Sequence, residues 1–227
     1  MRKNVKLHLL IVLFNLCWLL SNAQFYTGTP WKNQAQKIPG KIQCEWYDLG
    51  GEGIAYHDSD SINHGSGKLN PANGTFLNEF RILEGVDISY TKPAPIDINP
   101  YNLVQIQTEQ LYVGWTKPLE WINYTLCVSK SGWYTVGLMY TANGDGKIAL
   151  FLDRETLADD ILIPSTQNEL ETIGWRQWHH WNRIDSVATV KIRKGIHVLT
   201  LQTVENGNMN FDYIKFVLKK RQVSLSK

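Results

Sequence analysis

What most constrains the fold of this chain is the punctuation of its second half. From position 119 to 218, runs rich in β-branched and aromatic residues alternate with tight clusters of turn formers: Ser131-Gly132, Asn143-Gly144-Asp145-Gly146, Lys194-Gly195 and Asn206-Gly207-Asn208. Gly and Asn supply the backbone angles that reversals need, and β-branched and aromatic side chains suit a pleated surface. The spacing predicts strands over 41–47, 119–128, 133–140, 147–152, 187–193, 196–204 and 211–218. No stretch sustains helical periodicity over three turns. Many short strands joined by such turns predict an all-β protein, an antiparallel β-sandwich of jelly-roll type.

The first half is less regular. Positions 24–40 are polar and contain Pro30 and Pro39, which reads as a linker or extended arm. Gly50-Gly51-Glu52-Gly53, Asn63-His64-Gly65-Ser66-Gly67 and the stretch from Pro93 to Pro100 are loop-like, with room for one strand within 80–90. A structureless loop of that length is unusual, so the 51–110 insertion is expected to be ordered by packing over one end of the sandwich. The module is expected to run from 41 to 219, followed by a basic tail at 220–227.

The N-terminus points to export. Arg2, Lys3 and Lys6 precede an apolar run from Leu7 to Leu20, and Ser21-Asn22-Ala23 offers small residues for cleavage. This pattern is a signal peptide at 1–23, too short for a membrane span, and places the mature protein in a secreted or periplasmic compartment. Phe14-Asn15-Leu16 before Cys17 makes a poor lipid-attachment signal. Two cysteines remain, Cys44 and Cys127. Cys127 alternates with Ile122, Tyr124, Leu126 and Val128 and points away from their face, whereas Cys44 looks inward, so two separate thiols are expected rather than a disulfide. Asn73-Gly74-Thr75 and Asn123-Tyr124-Thr125 match the glycosylation triplet, a pattern that also arises by chance.

Charge narrows the partners. Lys+Arg is 23 and Asp+Glu is 21; loss of Arg2, Lys3 and Lys6 leaves 20 against 21. A near-neutral chain is a poor polyphosphate binder, which argues against nucleic acid. The 9 Trp and 10 Tyr must either fill the core or face a ligand.

Three groups of residues carry possible chemistry. Gln43 and Glu45 are two apart on a predicted strand and share a face. If the terminal strands are neighbours, Asp212 joins them, and such an oxygen set suits a hard cation; a solvated polar edge is the alternative. The second group is Trp115, Trp175, Trp178 and Trp181 with Asn210, at the boundaries of predicted strands. An indole face at a loop end matches the flat C–H face of a pyranose, and an amide offers both donor and acceptor to its hydroxyls; Trp also serves commonly as core. The third is Glu52, His57, Asp58, Asp60 and His64 in the insertion. It reads as a transition-metal site, as a carboxylate pair for glycoside hydrolysis, or as a hydrogen-bonded surface loop. His179-His180 reads as a sheet-edge pair, and no nucleophile elbow, P-loop or dinucleotide-binding turn is present.

Six segments in order resemble carbohydrate-binding module family 6: Ile42-Gln43-Cys44-Glu45-Trp46-Tyr47-Asp48, Val113-Gly114-Trp115, Glu120-Trp121-Ile122-Asn123-Tyr124, Gly174-Trp175-Arg176-Gln177-Trp178, Gly195-Ile196-His197-Val198-Leu199 and Asn210-Phe211-Asp212-Tyr213-Ile214. The resemblance implies a jelly roll with a structural Ca2+ between the terminal strands, held by Gln43, Glu45, Asp212 and backbone carbonyls. It also implies non-catalytic binding of a polysaccharide or oligosaccharide in a loop-end cleft, where Trp115 and Trp175 sandwich a sugar and Asn210 binds its hydroxyls. Trp121 and Trp178 fall at packing positions. Thr116-Lys117-Pro118-Leu119 departs from the acidic turn usual there, and Cys44 from a small residue. Some family members use a second cleft on the concave sheet face. The expectation is a stand-alone monomer working beside glycoside hydrolases. Two alternatives stand: a small jelly-roll glycoside hydrolase or lyase using Glu52, Asp58, Asp60 and Glu84, and a structural domain with its Trp residues buried.

Overall fold

A computed structural model describes residues 26–220. The expected signal peptide at 1–23, with Cys17, and the tail beyond Lys220 lie outside the described residues. Twelve strands form two sheets. They are β1 (Gln36–Ile38), β2 (Gly40–Gln43), β3 (Tyr56–His57), β4 (Ile88–Tyr90), β5 (Leu111–Val113), β6 (Trp121–Val128), β7 (Gly132–Ala142), β8 (Gly146–Leu152), β9 (Glu155–Ile163), β10 (Asn182–Ile192), β11 (Gly195–Glu205) and β12 (Met209–Leu218). One sheet runs β1-β6-β11-β8-β9, with β3 also against β6; the other runs β10-β7-β12-β5-β4, with β2 also against β12. All pairings are antiparallel except β1 with β6, so the all-β sandwich expected from the turn spacing is the observed architecture.

The core follows from alternation. Ile122, Tyr124, Leu126 and Val128 on β6 and Tyr134, Val136, Leu138, Tyr140 and Ala142 on β7 all bury in one cluster between the sheets. Cys127 faces away and Cys44 is buried; among the described residues neither forms a disulfide. The second sheet also carries a smaller cluster, where Tyr112, Met139 and Tyr213 pack with Ile106 and the fully buried Trp181. These residues have the opposite parity to Val113, Leu138, Tyr140 and Ile214, so the cluster lies on the sheet's outer face, where residues from the insertion cover it.

Several expectations shift. The strand predicted over 41–47 stops at Gln43, because the Trp46 N–H turns back to the Gln43 carbonyl (3.2 Å). β9 went unpredicted because Asp159 and Asp160 are exposed on an edge strand, where charge blocks unwanted pairing, and its register with β8 is twice interrupted. The arm at 24–40 is paired into the sandwich: β1 lies along β6, and Ile38 is fully buried.

The 51–110 insertion is ordered, with β3, β4 and a short helix α1 (Phe76–Glu79). Asn63 Oδ1 accepts from the N–H groups of Gly65, Ser66 and Ile88, folding the loop upon itself. Arg81 pins it to the sandwich. Its buried guanidinium donates to the carbonyls of Tyr47 (2.5 Å) and Asp48 (2.8 Å), pairs with Glu84 and stacks 3.3 Å from the Tyr47 ring.

Candidate functional site

The ends of β5, β7 and β12 meet at one pole. Asn210 opens β12 there, fully buried. Its Oδ1 accepts the Trp115 N–H (3.1 Å) and its Nδ2 donates to Thr141 Oγ1 (2.8 Å). Trp115 has φ of 47°, a conformation rare for bulky residues, and this side-chain bond helps fix it. Gly114 is required beside it, since a Cβ would lie 2.9 Å from Asn210 Oδ1. The sequence therefore puts Trp115 and Asn210 in direct contact, with the amide beneath the loop rather than on its surface.

Trp175 sits on a single 3-10 turn, Gly174–Arg176, and is 59% exposed. Its loop joins the same pole, because the Thr166 N–H donates to the carbonyl of Ala142 at the end of β7 (3.0 Å). The base of the turn is rigid. Arg176 is buried, donates from Nε to Glu171 Oε2 (2.6 Å) and also reaches the Pro95 carbonyl. The Arg176 bond holds the Glu171 carboxyl below its ordinary range. Trp115 is half-buried, and neither its ring nor that of Trp175 stacks on another aromatic ring among the described residues. Trp181 belongs to the outer-face core, and Trp178 is half-buried beside His179. His179 and His180 are not edge residues: both are buried, with His179 Nδ1 2.7 Å from Asp97 Oδ1.

The terminal strands are neighbours. β2 pairs with β12 through Gln43 opposite Tyr213, and the Cys44 N–H donates to the Asp212 carbonyl (2.9 Å). The pairing of β12 with β7 slips between Phe211 and Tyr213, making Asp212 the extra residue of a bulge. Bulges re-aim side chains. Phe211 and Ile214, three apart, both face the core, and Asp212 between them is buried with Glu45 in electrostatic reach. Burial pushes the Asp212 carboxyl up to about 6, and burial, with repulsion from Asp212, pushes Glu45 well above its usual range. Glu45 Oε2 and Asp212 Oδ2 have no hydrogen-bond partner. Two buried, orphaned carboxylate oxygens fit a hard cation, and Gln43 lies two residues from Glu45.

Glu52, Asp60 and Glu84 of the insertion are engaged by partners inside and outside it. Glu52 contacts His57 Nδ1 (2.5 Å) and accepts the Asp58 N–H (3.0 Å). Asp60 is lowered to about 2 by the Ile62 N–H, with His64 and Lys117 adding to it. Glu84 is the partner of Arg81 and accepts the Tyr47 hydroxyl. Asp58, raised to about 7 by burial and by Glu120, Asp87 and Asp60, lines a cavity of about 20 Å³ with Asp87 and Glu120. That space admits about one water molecule and no sugar. Asn123 of the second glycosylation triplet is buried, with its amide bonded to the Ile54 carbonyl.

A family 6 carbohydrate-binding module from Clostridium stercorarium, solved in complex with cellobiose, superposes with a TM-score of 0.50 at 14% identity, covering 82% of this chain and 98% of its own. The chain has the fold of family 6 carbohydrate-binding modules. A β-1,3-glucan-binding family 6 module from Bacillus halodurans is similar at TM-score 0.46 and 14% identity, over 81% of this chain and 98% of its own. The C-terminal family 6 module of a marine laminarinase from Zobellia galactanivorans follows at TM-score 0.39 and 20% identity, over 49% and 82%. No family model and no curated protein matches the sequence. Against this family 6 fold, the sequence missed two things: the burial of Asn210, which single-residue chemistry does not signal, and the bulge at Asp212, for which the broken alternation Phe211-x-x-Ile214 was the available sign.

Proposed function

We propose that the protein is a non-catalytic glycan-binding module whose site is the loop pole carrying Trp115 and Trp175. The observation that carries this reading is Trp175: a large apolar ring, 59% exposed, on a turn braced by a buried ion pair. Holding such a ring in water has no folding benefit, and a braced aromatic platform suits the flat face of a sugar. Asn210 acts from below, fixing the Trp115 loop in its left-handed turn. The cellobiose complex of the Clostridium stercorarium module supports the ligand class. A few ring contacts of about 0.5–1.5 kcal/mol each beyond burial give weak binding, on the order of micromolar to millimolar.

We also propose a structural Ca2+ held by Glu45, Asp212 and Gln43. A bound cation would supply the positive partner that the two orphaned oxygens lack, and tie the turn after β2 to the last strand, β12. The proposed setting is extracellular, beside enzymes that cleave the glycan. Of the acids on which the hydrolase alternative rests, Glu52, Asp60 and Glu84 are engaged in ion pairs within the protein. Affinity electrophoresis against neutral polysaccharides tests the main reading. Trp175→Ala loses retention while its melting temperature stays within a degree or two of the parent (about 0.5 kcal/mol or less for an exposed site). Unchanged retention would refute it, and reducing-sugar release by the parent would favour the enzyme.

A further inference from the structure

A second groove, remote in sequence from the loop pole, lies between the N-terminal arm and the turn after β2. Its volume is about 400 Å³, within the roughly 300–1,000 Å³ range of small-ligand sites. Trp31 and Trp46 line it with Lys32, Gln34, Lys37 and Lys41, and no carboxylate is among its lining residues. Trp46 is 43% exposed, on the surface like the three lysines and Gln34. Among the described residues none of the three lysines forms an ion pair.

The groove is built rather than incidental. Gln36 clamps its two walls: Nε2 donates to the carbonyls of Gln43 and Trp46 (3.1 Å each), and Oε1 accepts the Gln43 N–H (2.8 Å). Trp31 is seated against Phe80, with ring centroids 5.2 Å apart, and beside the Arg81 guanidinium. Lys41 Nζ is held 3.8 Å over the Tyr213 ring, so that cation is placed rather than swinging free. Lys32 and Asn33 both hold positive φ, at 53° and 55°, in the turn that presents Lys32. Side chains other than Gly rarely adopt that region, and it persists only where the surroundings impose it.

We propose that this groove is a separate site for acidic saccharides. Indole faces receive the apolar side of a sugar ring, the lysine ammoniums receive its carboxylate or sulfate oxygens, and Gln34 offers donor and acceptor to hydroxyls. Charge complementarity selects the class: three lysines outside any ion pair, with no carboxylate among the lining residues, repel a cationic partner and leave a neutral sugar without use for them. Aromatic faces distinguish the site from a merely basic patch, which would bind any polyanion.

Affinity electrophoresis of the mature chain at low salt tests this, with mobility compared to ligand-free gels. The gels contain polygalacturonate, which offers carboxylates, dextran sulfate, which offers sulfates, or polyglutamate, an anion without sugar rings. The parent is retarded by polygalacturonate or dextran sulfate, and the gel that retards it identifies the anionic group. Trp46→Ala and the triple change Lys32→Gln, Lys37→Gln, Lys41→Gln each weaken that retention at least about fivefold. A charge-matched triple change on β10 and the following turn, Lys191→Gln, Arg193→Gln, Lys194→Gln, leaves it intact. The proposal is overturned if neither polysaccharide retards the parent, if Trp46→Ala changes nothing, if the charge-matched control weakens retention equally, or if polyglutamate binds as tightly as the sugars.

Discussion

Three residues show how chemistry at one position is decided by its neighbours. Asn210 was legible as a sugar ligand from its side chain, yet its amide is used within the protein, on Trp115 and Thr141. Asn210→Ala leaves two buried groups without partners, so it is expected to cost about 1–3 kcal/mol in denaturant unfolding and to weaken glycan binding through the Trp115 loop. A stability loss with unaltered affinity would dissociate that loop from the site. Trp175 was legible from its place in a loop before a predicted strand, and it is exposed. Asp58 carries a pH dependence. Its folded carboxyl sits at about 7 against 3.8 in the unfolded chain, chiefly through burial. Between those values the folded state holds a proton that the unfolded state has released, so this group's contribution worsens as pH rises through the window and is neutral below it. Asp58→Asn keeps the oxygen that accepts the Asp60 N–H and removes the charge. It is expected to raise the melting temperature at pH 8 by about 3–6 °C (about 1–2 kcal/mol) and to leave it nearly unchanged at about pH 3, below both values. An equal shift at both pH values would contradict the cause given.

At the scale of elements, β2, β6, β7, β8, β10, β11 and β12 were legible in whole or in part, and β1, β3, β5 and β9 were not. β6 and β7 carry an apolar residue at every second position toward one core, β11 does so at Leu199 and Leu201, β12 resumes the alternation after Asp212, and turn residues fix their ends. β9 is an edge strand that uses charge, β1 is three residues long, and the insertion is held by single side chains rather than by a repeating pattern. No periodicity records Arg81, which bonds two carbonyls and Glu84 while its own backbone holds φ of 53°. Removing it leaves those carbonyls and Glu84 without this partner, so Arg81→Ala is expected to cost about 3 kcal/mol and to expose the insertion to limited proteolysis before the sandwich unfolds. Simultaneous loss of both would show that the insertion is not a separately anchored unit. The groove of Trp31 and Trp46 was missed for the same reason: it needs the pairing of an arm whose composition reads as a linker.

At the scale of the molecule, β2 lies against β12, so one cation between Glu45 and Asp212 would act on both ends of the module. Removing it with a chelator is expected to lower the melting temperature by roughly 5–10 °C, from about 2.7 kcal/mol at a hundredfold excess over Kd, and Asp212→Asn to abolish the response to added Ca2+. A melting temperature indifferent to both would remove the ion from the account. The sandwich thus provides a scaffold closed at its terminal strands and a pole on which two indole rings are set by buried polar bonds. Isothermal titration of the parent, Trp115→Ala and Trp175→Ala with neutral oligosaccharides, including cello- and laminari-series, tests the central claim most directly. The parent is expected to bind in the micromolar-to-millimolar range, with at least about tenfold weakening in each variant. Binding to no sugar in the series, or equal affinity in all three proteins, would contradict it.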